Sequence, residues 1–207
     1  MPRRPDVARR AELAHAAFEV LRTRGMQTSM RELADALGIK RPTLYFYFPD
    51  VGAVYETVLA QMTRALTETV LARVREHEHP IDRLRAVIDA THAFHRERPQ
   101  LIGGLIQLWA LGGREAAPVL ARERRGVLAA RDALVADLRA GIARKEVKPC
   151  EPERIVDLVL ALLEGAVVHH VLGIARADDT ADDTIDEFTV RVLAPLRAQR
   201  RRKRSKA

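Results

Sequence analysis

Apolar residues in this chain recur at intervals of three and four and almost never alternate, the spacing of helices that bury one face. The first run extends from about Asp6 to Arg24, with Ala14, Ala17, Phe18 and Leu21 at core spacing, and Gly25 ends it. Two short runs follow. Between Met30 and Leu37, the residues Leu33, Ala34 and Leu37 share one face, and Ser29 stands at the N-cap with Glu32 three positions on, the pairing of a capping box. Gly38 comes next, where a helix C-terminus favours a residue at ease with positive φ. A further helix begins near Lys40, with Pro42 in its first turn, where a missing N–H loses no helical partner. Leu44 and Tyr47 can turn inward there against the small Ala34. Short helices joined by a tight turn and backed by a first helix have the arithmetic of a helix-turn-helix. The open face of the second short helix carries Lys40, Arg41, Thr43 and Phe46, a mostly cationic and hydrogen-bonding set suited to major-groove DNA. An ordinary pair of packed helices with solvated charges would have the same spacing.

Past Pro49 the runs lengthen. A helix of about Val51 to Glu76 has Val54, Val58, Met62, Leu66 and Val70 on one side and starts with no linker after the short helices. Its end carries His77 and His79 beside Glu76 and Glu78, expected to be solvated histidines, since zinc would need further ligands in fixed geometry. Pro80 starts a helix of about Ile81 to Arg96 whose inward face is Leu84, Val87, Ile88 and Thr91. His92 and His95 lie three apart on it and can face the same way; a pocket wall or partly buried histidines is a better reading of them than a metal site. Pro118 is expected to open a long helix to about Arg144, with Leu120, Val127, Leu128, Leu134, Leu138 and Ile142 in register. The most apolar helix, about Pro152 to Gly173, must be covered on most sides, one of them by a second subunit. A last helix carries Ile185, Phe188, Val192, Leu193 and Leu196. The chain is therefore expected to be all-α.

The segments Ser29-Met30-Arg31, Leu33-Ala34, Leu37-Gly38-Ile39, Thr43-Leu44-Tyr45 and Tyr47-Phe48 resemble the DNA-binding signature of the TetR/AcrR family of transcriptional regulators. The resemblance is specific over the first 54 residues; beyond them it rests on helix order and on Leu108-Trp109, a pair many members carry in a short central helix. It implies that Arg41, Pro42, Thr43, Tyr45 and Tyr47 meet bases or phosphates; with Lys40, Phe46 and Ser29 these are the candidate DNA-binding residues. Lys40 stands where many members have a Ser N-cap, and Val51 where many have a phosphate-contacting Lys. At Val51 the N–H groups of the helix N-terminus could serve the phosphate instead.

The resemblance also implies a C-terminal domain that holds an unknown small-molecule effector among its middle helices and forms a homodimer through the last two. The function it implies is that of a ligand-responsive regulator. The expected form is a repressor that binds a palindromic double-stranded operator as a dimer and is released by the effector. Candidate pocket residues are His92, His95, Leu105, Leu108 and Trp109. The domain boundaries that follow are 1–50 for the helix-turn-helix DNA-binding domain, 51–197 for the helical ligand-binding and dimerisation domain, and 198–207 for a basic tail expected to be disordered.

Composition changes the picture in two places. The net charge of +7 would look like a nucleic-acid footprint, but the last eleven residues hold seven Lys or Arg and no acid. They account for the whole excess, so charge alone is weak support for DNA binding. The single Cys150 excludes an internal disulfide and fits a reducing cytoplasm. No Walker or dinucleotide glycine motif, G-x-S-x-G elbow or H-E-x-x-H is present, so no enzyme and no cofactor is expected. No segment approaches a membrane span, and a cytoplasmic protein with no membrane partner is expected.

Overall fold

The structure, a computed structural model of the 207-residue chain, describes residues 5–25, 27–98, 113–172 and 181–198. They form α1 (Val7–Arg24), α2 (Met30–Ala36), α3 (Arg41–Tyr47), α4 (Val51–Arg75), α5 (Pro80–Arg96), α6 (Gly113–Ala143), α7 (Pro152–Val171) and α8 (Ala181–Phe188). The last is continued by a π turn, Thr189–Leu193, and a 3-10 turn, Ala194–Leu196. The fold is all-α: no β-strand occurs among the described residues, and one isolated antiparallel bridge joins Val147 to Arg197. No described helix is long and apolar enough to cross a membrane. Two compact units emerge, one taking in the chain to Ala65 and the segment ending at Arg125, the other starting at Leu66 and again at Gly126.

In the first unit, Asp6 starts α1 by accepting from the N–H groups of Ala8 and Arg9 (2.8 and 3.2 Å). Leu13, Ala14, Ala17, Phe18 and Leu21 form the buried face of α1, and Gly25 ends it at φ +93°. Leu33 and Ala34 of α2, Leu44 of α3, Phe48 and the first turns of α4 complete this core. The Phe18 ring meets Tyr55 edge-on at 5.6 Å, and the Arg10 guanidinium lies over the Phe48 ring at 5.4 Å.

In the second unit, Ile81, Leu84 and Ile88 of α5 pack with Val135 and Leu138 of α6, Val156, Val159 and Leu163 of α7, and Ile185 and Leu193 from the C-terminal elements. A strap closes it. The N–H of Lys148 donates to the Leu196 carbonyl (2.7 Å) and that of Ala198 to the Glu146 carbonyl (2.9 Å). The Arg197 guanidinium forks onto both carboxylate oxygens of Asp82 at 2.7 and 2.9 Å.

Four expectations need correction here. His79 is no solvated histidine: its Nδ1 accepts from the Ile81 N–H (3.1 Å) and caps α5. Nε2 must then carry the proton, and it donates to the Glu146 carbonyl at 3.1 Å. Pro118 does not open α6, which starts at Gly113 and takes the proline just past its first turn, where it forgoes one ladder bond. Val127 and Leu128 of α6 are exposed rather than core residues. The last helix does not run on to Leu196, because Pro195 has no N–H for an α ladder and its ring would meet the Arg191 carbonyl; the ladder widens, with the Ala194 N–H bonding Thr189.

Gly141 marks the closest approach in this unit. A Cβ there would lie 2.7 Å from Cγ of Pro80 and 2.9 Å from Cγ2 of Val147. Gly141→Ala should therefore destabilise the protein by about 1–3 kcal/mol, the usual range for overpacking, despite alanine's better helix propensity. Thermal unfolding measures it.

Candidate functional site

The site is built from α2, the turn and α3. Ser29 and Glu32 make the expected capping box: the Ser29 N–H and hydroxyl both donate to Oε2 of Glu32 (2.8 and 2.7 Å), while the Glu32 N–H donates to the Ser29 hydroxyl oxygen (3.3 Å). The hydrogen bond from the Ser29 side chain, then that from its backbone, holds the Glu32 carboxyl below its usual range. Gly38 takes φ +63°, and the Ile39 N–H bonds the Ala34 carbonyl, so the chain leaves α2 sharply. Lys40 is the N-cap of α3 by backbone position, but no side chain caps that helix.

Of the eight candidate DNA-binding residues, Ser29 caps α2 and the other seven lie on α3 or at its N-cap, and the structure sorts them. Lys40, Arg41, Pro42, Thr43, Tyr45 and Phe46 are exposed, Tyr45 at 52% and Phe46 at 46%. Tyr47 is only half-buried, so the inward partner of Leu44 is Phe48, one full turn on, rather than Tyr47. The Tyr47 ring instead meets Phe46 edge-on at 5.2 Å. Arg41 is loosely paired with Asp35 at 3.9 Å, an exposed contact that would yield readily to a phosphate. The Ser29 hydroxyl is exposed but already committed to its cap.

At Val51 the helix N-terminus is partly committed. Oδ1 of Asp50 accepts from the Ala53 N–H at 2.7 Å, so the start of α4 is already capped by an anion. A phosphate approaching there would meet that carboxylate beside the remaining first-turn amides. Spacing could have signalled this, since Asp three residues ahead of Ala53 is an ordinary N-cap pattern.

Of the candidate pocket residues, Leu105, Leu108 and Trp109 lie outside the described residues. His92 and His95 sit half-buried on α5. Burial, then the neighbouring His92, pushes the His95 imidazole down to about 4. Nδ1 of His95 is buried with no hydrogen-bond partner among the described residues. One turn further on, the Arg98 guanidinium stacks on the Phe94 ring at 4.0 Å and donates to the Phe94 carbonyl. Among the described residues there is no cluster of three or more metal-ligating side chains.

A capped α2, a glycine turn and a short helix exposing Pro42 and Phe46 between polar flanks have the form of a DNA-binding helix-turn-helix. The profile described as "Bacterial regulatory proteins, tetR family" matches residues 13–56. An uncharacterized HTH-type transcriptional regulator of Mycobacterium tuberculosis (strain H37Rv) is 29% identical over 94% of this chain and 93% of its own. The HTH-type transcriptional activator FasR of Mycolicibacterium smegmatis is 34% identical over 44% of this chain and 42% of its own. The crystal structure of AibR in complex with isovaleryl coenzyme A and operator DNA shares the fold at a TM-score of 0.64 and 19% identity, over 89% of this chain and 98% of that one. Residues 13–56 are thus similar to the DNA-binding domain of the tetR family of bacterial regulatory proteins, and nearly the whole chain is similar to an HTH-type transcriptional regulator.

Ser29→Ala should lower stability by about 1 kcal/mol through the lost cap. It should leave the salt dependence of DNA binding unchanged; a shallower slope would make Ser29 a phosphate contact instead. For His95, the folded protein holds its proton less tightly than the unfolded chain, whose value is near 6.5. Stability is then full above pH 6.5 and falls as pH drops from 6.5 towards 4. Between pH 7 and pH 5 the wild type should lose about 1–2 kcal/mol, discounted for partial solvent exposure, and His95→Gln distinctly less. Chemical denaturation at the two pH values tests this.

Proposed function

We propose that the protein is a ligand-responsive repressor that acts in the cytoplasm as a homodimer on a palindromic operator and is released by a small-molecule effector. The observation that carries the dimer is a stripe on α7. Leu158, Ala161, Gly165, Val168 and Leu172 follow one another at intervals of three and four, and Leu158, Val168 and Leu172 are 50%, 41% and 64% exposed. Such a heptad seam is left bare in a single chain and invites a second helix. Gly165 adds to the case: among the described residues a Cβ there would meet nothing within 4 Å, so none of them calls for a glycine that weakens the helix. Val190 of the π turn, 64% exposed, supplies further apolar surface from the C-terminal elements. Two heads related by a two-fold axis call for half-sites about one helical turn apart, ~34 Å, or a multiple.

The effector is proposed to bind beside His92 and His95; the further candidates Leu105, Leu108 and Trp109 lie outside the described residues. A neutral His95 with an unsatisfied Nδ1 suits a ligand that offers one hydrogen-bonding group. Since α4 is one 25-residue helix from Val51 to Arg75, a tilt induced at its far end would carry to α3, and release becomes a population shift between two conformers. The candidate DNA-binding residues keep the roles expected of them, except that Ser29 serves its cap. An activating role is the second reading, favoured by the activator FasR. A reporter behind the bound promoter decides: deleting the gene should raise transcription, and a fall makes the protein an activator.

The seam predicts that Leu158→Glu yields monomers with unchanged helical content, and that Gly165→Leu weakens the dimer without unfolding the chain. Sedimentation of both variants as intact dimers would sink the assignment. Leu162 is a poorer target for a charge, since it packs against its own core.

A further inference from the structure

We infer that the face α3 presents to DNA is apolar at its centre, and that Phe46, with Pro42 beside it, selects operators by the 5-methyl groups of thymine. This rests on the reading that α3 enters the major groove. Helix α3 has seven residues, and Leu44 alone among them is fully buried, which fixes how the helix is turned. At 100° per residue, Pro42 and Phe46 each lie about 160° from Leu44, on either side of the outermost line, and about 40° from each other. Both are exposed. The polar side chains flank them, Arg41 and Tyr45 to one side and Thr43 and Tyr47 to the other. The edge-on contact with Tyr47, at 5.2 Å and 84°, gives the Phe46 ring a defined orientation.

The chemistry of the groove floor then limits what can lie beneath. Guanine shows acceptors at N7 and O6, cytosine a donor at N4, adenine an acceptor and a donor; only thymine adds an apolar group, its methyl. A Phe ring and a Pro ring can neither donate nor accept. Seated over guanine, cytosine or adenine they would strip water from polar edges and offer nothing in return. Seated over a thymine methyl they bury apolar surface against apolar surface. Arg41 and Thr43 remain free to position the helix on phosphates or to read a neighbouring base.

The test begins by selecting operators from random duplex DNA with the purified full-length protein. Each thymine of the selected site is then replaced in turn by deoxyuridine, which removes the methyl and nothing else. At one thymine in each half-site, deoxyuridine should weaken wild-type binding about fourfold, and about fifteenfold with both half-sites substituted, the worth of one or two buried methyls. Phe46→Ala should be insensitive to the same replacement, whereas Phe46→Leu, which keeps an apolar contact, should stay sensitive. Phe46 is exposed, so both variants should unfold at the wild-type temperature; if Phe46→Ala does not fold, the wild-type scan and Phe46→Leu still decide. A scan that is neutral at every thymine, with specific selection intact, overturns the inference and leaves the DNA-binding reading standing. Equal sensitivity in wild type and Phe46→Ala overturns the assignment to Phe46. Failure to select any sequence overturns both.

Discussion

A seven-residue helix does not hold itself together in water, because so few ladder bonds cannot offset the cost of nucleation. Helix α3 exists only because Leu44 and Phe48, one turn apart, are both fully buried beneath it. That single constraint fixes the rotation of the helix. Once Leu44 points inward, Pro42 and Phe46 must point out, and the polar residues must take the flanks. Phe48 is held in turn by the Arg10 guanidinium over its ring, so the reading surface depends on α1, which touches no base in the proposed mode.

The polar groups of the first unit mostly serve geometry. Ser29 and Glu32 close each other's bonds, Asp6 starts α1, and Asp50 starts α4. Each cap sets where a helix begins to within one residue, and the turn between α2 and α3 inherits that accuracy. In the second unit the two notable histidines have opposite fates. His79 spends both ring nitrogens joining the start of α5 to the loop after α6. His95 is neutral because it is buried, and one nitrogen is left over. The first is architecture; the second is the atom that the proposed effector would satisfy.

The exposed seam of α7 and the close contact at Gly141 show how differently two glycines can be used. Gly141 lets α6 approach Pro80 and Val147 within its own unit, and any side chain there would collide. Gly165 meets nothing among the described residues. Its place within a run of Leu158, Ala161, Val168 and Leu172 fits the proposed dimer seam along α7.

Much of this was legible in the amino-acid order because it is local. Helical spacing, the Ser29–Glu32 pair, the glycines at 25 and 38 and the Pro42 position each act within a turn or two, and the periodicity of the apolar residues identifies helices without reference to neighbours. Rotation and partnership were not local. Whether Tyr47 or Phe48 turns inward depends on what α1 offers opposite; whether His79 is solvated or a cap depends on the Glu146 carbonyl, 67 residues away. Val127 and Leu128 kept core spacing yet lie exposed, because spacing says which residues share a face and not what that face meets. Sequence by itself determined that the chain is helical and where its reading head lies; only the tertiary structure decided which side of each helix is turned outward, since that follows from contacts between residues far apart in the chain.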